Sequence, residues 1–270
     1  MNKYILLLVA FCSLFSCKDD DPVDPYIPVN LPSIQKITFT EGQDSSIFVY
    51  DQDMRLLSGK CKNFGGMSGE EKFTVHYSDQ GHLAGAKYEV LQGSRYSEFS
   101  VNYSLNDRNM LSGLTREDWT KSLSFSYDEH YRLVQLTVHL PQNGINRYTI
   151  SYDDQSNVSS VELYLKIADV EGYTKTEYDQ YDGSPNPFSY LVNVFYAPVF
   201  SSNYGPVRYD ALSLGMLLSA NNPGKITEYR KEGEAYVLTS STLLEYTYAD
   251  DRYPVEITGD SFSLKVGYHP

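Results

Sequence analysis

From residue 34 onward, the chain is dominated by short segments in which apolar and polar residues alternate with a period of two. The clearest segments place three apolar or aromatic residues at alternate positions: Phe73-Val75-Tyr77, Phe99-Val101-Tyr103, Leu123-Phe125-Tyr127, Tyr148-Ile150-Tyr152 and Leu244-Tyr246-Tyr248. Successive side chains of a β-strand point to opposite faces of the sheet, so each trio lines a single face. The pattern therefore predicts strands that each bury one apolar face.

Polar turn residues follow the tyrosines that end these segments, and an apolar residue or proline comes six positions later. The pairs are Tyr50 and Leu56, Tyr77 and Leu83, Tyr127 and Leu133, Tyr152 and Val158, Tyr181 and Pro187, and Tyr248 and Pro254. Asp, Asn and Gly between them favour tight turns. Each unit is therefore predicted to be a hairpin. After Tyr103 the apolar residues come later, at Met110 and Leu111, which predicts a longer turn.

The terminal tyrosines at positions 50, 77, 103, 127, 152 and 181 are spaced 27, 26, 24, 25 and 29 residues apart. A period of this length holds two strands and two turns, which is typical of an up-and-down antiparallel meander. We expect an all-β domain of about 14–17 antiparallel strands. A sheet of that size should curl into a barrel-like or strongly curved shape that hides its edges, with its apolar face packed inside.

The spacing breaks between Tyr181 and Tyr248, and this interval contains the one helical pattern. Ala211, Leu214, Leu217 and Leu218 lie near one face of a helix that Asp210 could cap. The run Asn221-Asn222-Pro223-Gly224 would end it. We predict one short helix near residues 209–220 that covers one end or face of the sheet.

The first sixteen residues have the features of a bacterial signal peptide. Lys3 precedes an apolar run from Ile5 to Phe15, which is shorter than the roughly 20 residues of a membrane-spanning helix. The run ends in Leu14-Phe15-Ser16-Cys17, which resembles a lipobox. We predict a signal peptide over residues 1–16 and lipidation of Cys17. The alternative is an ordinary cleaved signal with a coincidental cysteine.

Residues 17–33 are predicted to tether a single domain of residues 34–270. Lys18-Asp19-Asp20-Asp21 resembles the export signal of Bacteroidetes surface lipoproteins, and four prolines then favour an extended spacer. We expect an outer-membrane lipoprotein at the cell surface, with a periplasm-facing location as the alternative. The protein would then be attached to the membrane, its expected partner, through the lipid on Cys17. A transmembrane barrel is the runner-up, since most strands offer fewer than the roughly 9–11 residues that spanning requires.

Composition narrows the partners further. The 270 residues carry a formal net charge of −13, which repels phosphates, so nucleic acid is not expected as a partner.

Of the three cysteines, Cys12 leaves with the signal and Cys17 is acylated. Cys61 then has no partner for an internal disulfide, and we expect it to be a small packed residue rather than a catalytic thiol.

Motifs for catalysis or cofactor binding are missing from the sequence. It contains no G-x-S-x-G elbow, phosphate-binding loop or dinucleotide fingerprint, and its five histidines lack metal-ligand spacing. The adjacent acidic pairs are interpreted as turn and rim residues: Glu70-Glu71, Glu117-Asp118, Asp128-Glu129, Asp153-Asp154 and Asp250-Asp251. We therefore expect no enzyme, no cofactor and no metal site. A hydrolase with an unrecognised carboxylate site remains an alternative.

The 25 tyrosines raise the question of carbohydrate binding, because exposed aromatic rings stack on sugars. The repeating tyrosines are better explained by cross-strand packing. Ligand contact is therefore predicted at aromatic residues outside the repeat: Trp119, Tyr173, Tyr190, Tyr196 and Tyr204.

Three segments resemble a group of Bacteroidetes lipoproteins, a domain of unknown function with a porin-like fold. They are Tyr181 to Phe188, Leu218 to Pro223 and Tyr246 to Pro254, where Ala249 and Arg252 stand in place of an expected Asp and Gly. The resemblance covers roughly residues 34–268 and implies fold and location, but brings no catalytic residues. A weaker likeness to the Tyr-Asp repeats of bacterial toxins covers only the hairpin pattern.

The leading expectation is a non-enzymatic binding or scaffold lipoprotein whose partner is a glycan or an envelope protein. A glycan-binding accessory protein of a carbohydrate-uptake system is the first alternative.

Overall fold

The structure is a computed structural model that describes residues 33–39, 45–62, 69–116, 122–189, 214–249, 252–260 and 262–268. The predicted signal peptide, the lipidated cysteine and the tether lie outside these ranges. So do several predicted residues elsewhere in the chain: Trp119, Tyr190, Tyr196, Tyr204, Asp210 and Ala211.

Strands dominate the described chain. They are β1 (Ile34–Phe39), β2 (Ser45–Tyr50), β3 (Leu56–Lys62), β4 (Glu70–Tyr77), β5 (Leu83–Gln92), β6 (Arg95–Leu105), β7 (Leu111–Arg116), β8 (Ser122–Tyr127), β9 (Leu133–His139), β10 (Ile145–Tyr152), β11 (Val158–Ile167), β12 (Val170–Asp179), β13 (Lys225–Glu232), β14 (Ala235–Leu243), β15 (Glu245–Ala249), β16 (Tyr253–Gly259) and β17 (Phe262–Tyr268). A 3₁₀ turn spans Pro141–Asn143, and the helix α1 spans Leu214–Leu218.

These strands form one antiparallel sheet that curls into a nearly closed barrel. Each strand from β1 to β13 pairs with the next strand in the chain. β15 then pairs with β16 and β16 with β17, and β17 pairs back with β1. Leu244 alone separates β14 from β15, and its N–H donates to the Gly224 carbonyl at 2.8 Å. The predicted all-β meander and its curled shape are thus confirmed.

The apolar trios face the interior of the barrel, as the alternation predicts. Phe73 and Val75 of β4 are almost fully buried, and so are Phe99 and Val101 of β6. Tyr88 of β5 stacks on Phe99 with ring centroids 5.1 Å apart. These residues belong to one continuous core formed by strands around the sheet. Burial of this face is the main source of stability for a fold of this kind.

The outer face of the barrel is polar over most of its strands. On β4, Lys72, Thr74 and His76 point outward and are exposed, alternating with the buried inward residues. The outward positions of β8 are serines, and those of β6 include Ser100 and Asn102. The apolar side chains therefore fill the inside, and the outer face presents mainly polar side chains. No helix in the described ranges is long and apolar enough to cross a bilayer.

The tyrosines that end the hairpins lock the sheet along one rim. The hydroxyls of Tyr50, Tyr77, Tyr127 and Tyr152 each donate to the carbonyl of the first residue of the preceding strand, at distances of 2.8, 3.0, 2.8 and 2.9 Å. In each turn that an Asp or Asn opens, its side-chain oxygen accepts backbone N–H bonds from residues two and four positions on: Asp51, Asn106, Asp128 and Asp153. The six-residue interval therefore encodes one recurring turn.

The longer turn predicted after Tyr103 is wrong, because Leu105 holds the terminal position of that unit. Leu105 pairs with Leu111, six residues later, across the same register shift that the other units show. Tyr103 lies two residues earlier on the same face and stays buried in the core. Leucine replaces the terminal tyrosine in this unit. The sequence pattern therefore places the end of the strand at Tyr103, two residues too early.

The hairpin predicted after Tyr181 is also wrong. Tyr181 still donates to the Val158 carbonyl at 2.6 Å, but the chain then leaves the sheet and forms a single bridge between Pro185 and Asn221. Asn186 is buried and its side-chain amide donates to the Ser219 carbonyl at 2.9 Å. These bonds tie the segment to the exit of α1, so the Asn-Pro motif serves helix docking rather than a turn between strands.

The helix α1 lies within the predicted range of 209–220 and packs on the core. Met216 and Leu217 are buried, and Gly215 approaches the ring of Tyr178 on β12. Ser219, next to the helix, donates its hydroxyl to the Gly215 carbonyl at 2.7 Å and accepts the Val158 N–H at 3.1 Å. The helix therefore covers the core near the start of β11, the covering role that the sequence predicts.

Candidate functional site

Four adjacent strands, β11 to β14, bring a group of tyrosines to the outer face of the barrel. Val161 on β11 is buried and lies opposite Thr176, so residues 174, 176 and 178 of β12 face inward. Tyr173 and Lys175 therefore face outward. We define the tyrosine patch as six of the outward side chains of these strands: Tyr164, Tyr173, Lys175, Tyr229, Lys231 and Tyr236.

The patch consists of two transverse rows. In the first row, Tyr164 lies opposite Tyr173 with ring centroids 4.9 Å apart. Lys231 follows with its ammonium 4.9 Å from the Tyr173 centroid, and it pairs in register with Tyr236. The second row contains Lys175 and Tyr229, which pair directly. Tyr173 and Tyr236 are 40% and 39% exposed, so ring faces remain accessible to a ligand.

Two ion pairs lie at the border of the tyrosine patch. Lys166 and Glu171 approach to 2.8 Å beside Tyr164, and Lys175 and Glu177 approach to 2.8 Å beside Tyr229. The hydrogen bond to Glu177 raises the pKa of both the Tyr229 hydroxyl and the Lys175 ammonium. Partial burial, followed by the charge of Glu171, raises the pKa of Tyr164. The Tyr164 and Tyr229 phenols therefore stay protonated. The patch presents aromatic faces together with hydroxyl and ammonium groups.

This combination of groups suits a neutral polyhydroxylated ligand. Aromatic rings stack against apolar ring faces, while neighbouring hydroxyls, carboxylates and ammonium groups supply hydrogen bonds. Adjacent strands lie about 4.8 Å apart, so a row across four strands spans about 14 Å. That length exceeds a single sugar ring and would contact an extended chain.

The inner face of the same strands is polar where it opens to solvent. A cavity of about 300 Å³ is lined by Thr174, Thr176, Glu228, Arg230, Thr239 and Ser240, and also by the neighbouring residues Lys175 and Tyr229. The Ser240 hydroxyl donates to Glu228 Oε2 at 2.8 Å. Arg230 forms an ion pair with Glu232. This volume is at the lower end for small-molecule sites, so it could take one polar side chain or a small polar group.

The acidic pair Glu70-Glu71 divides between the two faces of β4. Glu70 points outward and accepts from Lys60 at 2.7 Å and from Lys72 at 3.3 Å, which lowers its pKa. Glu71 points inward, and burial raises its pKa to about 7. A glycosidase needs two carboxyl groups facing one substrate, and these two side chains point apart.

The other acidic pairs belong to turns or are not described. Asp128-Glu129 and Asp153-Asp154 lie in rim turns, where Asp128 and Asp153 accept backbone bonds. Glu117-Asp118 and Asp250-Asp251 fall outside the described ranges. His139 lies on a strand with its Nε2 at 3.2 Å from the Ser124 hydroxyl. Among the described residues, no group of three or more His, Cys, Asp or Glu side chains could hold a metal ion.

Cys61 is buried on the inner face of β3, directly opposite Ser46 on β2 and Glu71 on β4. Burial raises the pKa of its thiol to about 12. A thiol of this kind is almost entirely protonated at neutral pH, and the thiolate is the nucleophile. The position agrees with the packing role predicted from the sequence.

Of the five predicted ligand-contact residues, Tyr173 is the one that the described ranges contain, and it lies in the patch. The sequence reasoning missed Tyr164, Tyr229 and Tyr236. Each sits in a strand of irregular alternation, and their register with Tyr173 emerges only from the pairing of four strands. A count of tyrosines per predicted hairpin could have drawn attention to β11–β14.

Comparisons with known proteins support the fold. A porin-like protein from Bacteroides uniformis superposes with a TM-score of 0.55 at 14% sequence identity, covering 88% of this chain and 100% of that chain. A porin-like protein from Bacteroides vulgatus gives a TM-score of 0.41 at 14% identity, covering 89% of this chain and 100% of that chain. No family model matches the sequence, and no curated protein matches it. The first of these superpositions shows that the chain shares the fold of the porin-like protein from Bacteroides uniformis.

Proposed function

We propose that this protein is a non-enzymatic binding or scaffold protein of the cell envelope, held at the membrane by a lipid on Cys17. The observation that carries the proposal is the polarity of the barrel. Its interior is packed with apolar side chains such as Phe73, Phe99 and Leu136, and its outer face is polar. A membrane-spanning barrel needs the opposite arrangement, with an apolar outer belt.

A barrel with a solvated exterior needs an anchor to remain at a membrane. The lipobox Leu14-Phe15-Ser16-Cys17 would supply it, and the acidic and proline-rich residues that follow would hold the domain away from the lipid. The shared fold with porin-like proteins from Bacteroides is consistent with an envelope location. Display at the cell surface is proposed, with the periplasmic face as the alternative.

Fractionation of cells that express the full chain tests the anchor. Wild-type protein should sediment with membranes, and Cys17→Ala should move to the soluble fraction without detergent. Cys12→Ala is the matched control, because it changes a cysteine of the signal peptide outside the lipobox position. Retention of Cys17→Ala in the membrane, with extraction only by detergent, would contradict the proposal and favour a spanning barrel.

Protease treatment of intact cells distinguishes the two locations. Surface display exposes the domain to cleavage, whereas a periplasmic domain is protected until the outer membrane is opened. Replacement of Asp19, Asp20 and Asp21 by Ala should reduce cleavage if this stretch directs surface export. Equal cleavage of both chains would remove the role assigned to the acidic stretch.

Glycan binding is a second candidate function, favoured by the tyrosine patch. Tyr173 and Tyr236 expose about two fifths of their surface in one row with Tyr164. A glycan array should identify a saturable ligand whose binding falls about tenfold in Tyr173→Ala, since loss of one stacked ring costs about 1–2 kcal/mol. Tyr96→Ala is the control, because Tyr96 is 60% exposed on β6 outside the patch. Equal losses in both variants would exclude the patch as the site.

A further inference from the structure

Among the described residues, the strand β14 has a partner strand along one edge and none along the other. It pairs with β13 along its whole length, from Leu243 opposite Lys225 to Ala235 opposite Glu232. On the other side, β16 pairs with β15 from Glu245 onward and does not pair with β14. Within the described ranges, β14 therefore extends beyond the hairpin of β16 and β17 with a free row of backbone N–H and C=O groups.

This edge is exposed on both of its faces. Every residue from Ala235 to Ser241 is exposed, and so is Leu243. Leu238 is 59% exposed and Leu243 is 56% exposed. The nine residues contain no charge, proline or glycine and are rich in residues that favour strands. They therefore combine strand propensity with accessible backbone groups.

Free edges of this kind pair readily with other strands, and most proteins blunt them with lysine, proline or a covering segment. β14 has a register shift opposite Glu228 and Tyr229, but it contains no lysine or proline, and no described segment covers its open edge. An incoming strand would complete the hydrogen bonding, as in recognition by β-strand addition. Side chains of that strand on the inner face would lie beside Ser240, at the border of the 300 Å³ cavity.

The charges around the edge select the chemistry of the partner. Glu234 lies at one end of β14, and Glu245 and Asp260 lie at the other. The nearby cations are already engaged. Arg230 pairs with Glu232, Lys231 lies over Tyr173, and Lys225, opposite Leu243, lies 3.8 Å from Asp179. A second copy of the chain, paired antiparallel, would bring Glu234 close to the partner copy's acidic end. Such like-charge pairs destabilise a sheet, and each chain carries a net charge of −13.

We propose that the open edge of β14 binds an extended segment of another protein, uncharged along the paired stretch and basic at both ends. The backbone of β14 supplies the hydrogen bonds, and the carboxylates of Glu234, Glu245 and Asp260 set the charge preference. This makes the open backbone edge of β14 a docking site for a partner protein, while Tyr236 of the same strand contributes its side chain to the tyrosine patch on the outer face.

Peptide binding to the full chain tests this assignment. The probe is a peptide of alternating threonine and valine with lysines at both ends, and binding is followed by fluorescence anisotropy. The same peptide with glutamates at its ends should bind at least about tenfold more weakly at low salt, because charge complementarity controls encounter and orientation. The lysine-ended peptide with N-methyl groups on alternate residues should not bind, because methylation removes its backbone donors.

Two proline variants locate the binding edge. The N–H groups of adjacent residues in an antiparallel strand point to opposite edges, so one of Ser241→Pro and Thr242→Pro removes a donor from the open edge and the other removes one from the β13 ladder. The variant that keeps the wild-type melting temperature should lose at least about tenfold in peptide affinity. The other variant should melt at a lower temperature.

Three results would overturn the assignment. The first is the absence of binding by the lysine-ended peptide, and the second is equal binding by its N-methylated form. The third is a dimer of the wild-type chain, measured by light scattering, that the stable proline variant converts to a monomer. That result would assign the edge to a second copy of the protein instead of a basic partner strand.

Discussion

The hydroxyl of Tyr152 donates to the carbonyl of Leu133 across 2.9 Å, which joins the end of β10 to the start of β9. The same relationship recurs along the rim, where Tyr127 donates to Leu111 at 2.8 Å and Tyr181 donates to Val158 at 2.6 Å. The ring of each tyrosine packs against the core, and its hydroxyl satisfies a carbonyl at the strand end. The repeat of tyrosines is therefore a structural device that fixes hairpin register.

Tyr152→Phe should lower the free energy of unfolding by about 1 kcal/mol, because it removes one hydrogen bond and leaves the Leu133 carbonyl without that donor. Urea denaturation of the two chains measures the difference. Tyr236→Phe is the control, since Tyr236 lies exposed on β14 and a hydroxyl there is solvated. Equal stability of Tyr152→Phe and wild type would show that the rim bond contributes nothing to stability.

The sequence predicts the barrel well because one physical rule governs most of it. Alternation places Phe73 and Val75 on the buried face, and the Asp that follows a rim tyrosine closes a turn of fixed length. The rule fails at Leu105, where leucine takes the place of the terminal tyrosine. It also fails after Tyr181, where the Asn186 amide donates to the Ser219 carbonyl just after α1. Both failures come from tertiary contacts that local periodicity does not contain.

The candidate site is less accessible to sequence reasoning than the fold. Tyr173 stands out because it lies outside the repeat, but its neighbours Tyr164 and Tyr236 are separated from it in sequence and joined by strand pairing. The open edge of β14 depends on where β16 ends its pairing. No pattern within residues 235–243 reveals that, in the described part of the chain, this strand has one neighbouring strand instead of two.

Glu71 should make the stability of the protein fall as the pH rises. Burial raises its pKa to about 7, above the value of 4.5 expected in the unfolded chain. Between these two values the native state binds more protons than the unfolded state, so the stabilisation is complete below about pH 4.5 and is lost as the pH approaches 7. The loss should be on the order of 3 kcal/mol, since each pKa unit corresponds to about 1.4 kcal/mol.

Urea denaturation of wild type and Glu71→Gln from pH 4.5 to 8 measures this effect. The glutamine variant should lose this component of the pH dependence and exceed wild type in stability at pH 8. Glu70→Gln is the matched control, because the neighbouring carboxylate faces outward between Lys60 and Lys72 and its pKa is lowered. Parallel stability curves for wild type and Glu71→Gln would show that Glu71 is ionised and solvated in the folded protein.

Cys61 should resist alkylation in the folded protein. Its side chain is 6% exposed, and burial raises the pKa of the thiol to about 12, so thiolate is scarce at pH 8. Iodoacetamide treatment of the Cys17→Ala chain followed by mass spectrometry should show labelling at Cys61 in concentrated urea and almost none without urea. Rapid labelling of the native chain would contradict the packed position and indicate an accessible, reactive thiol.

Gly215→Ala should destabilise the contact between α1 and the barrel. A Cβ atom at Gly215 would lie 2.3 Å from Cζ of the Tyr178 ring, which is itself 5% exposed and has little room to move. Alanine is the better helix former, but the clash should dominate and lower the free energy of unfolding by about 1–3 kcal/mol. Gly183→Ala is the matched control, because nothing lies within 4 Å of a Cβ atom at that position.

Thermal unfolding should therefore show a lower melting temperature for Gly215→Ala and little change for Gly183→Ala. Tyr178→Leu combined with Gly215→Ala should recover part of the loss, since the smaller side chain makes room for the added methyl group. If Gly215→Ala equals or exceeds wild type in stability, the helix does not pack on Tyr178 as described, and its covering role at the start of β11 is wrong.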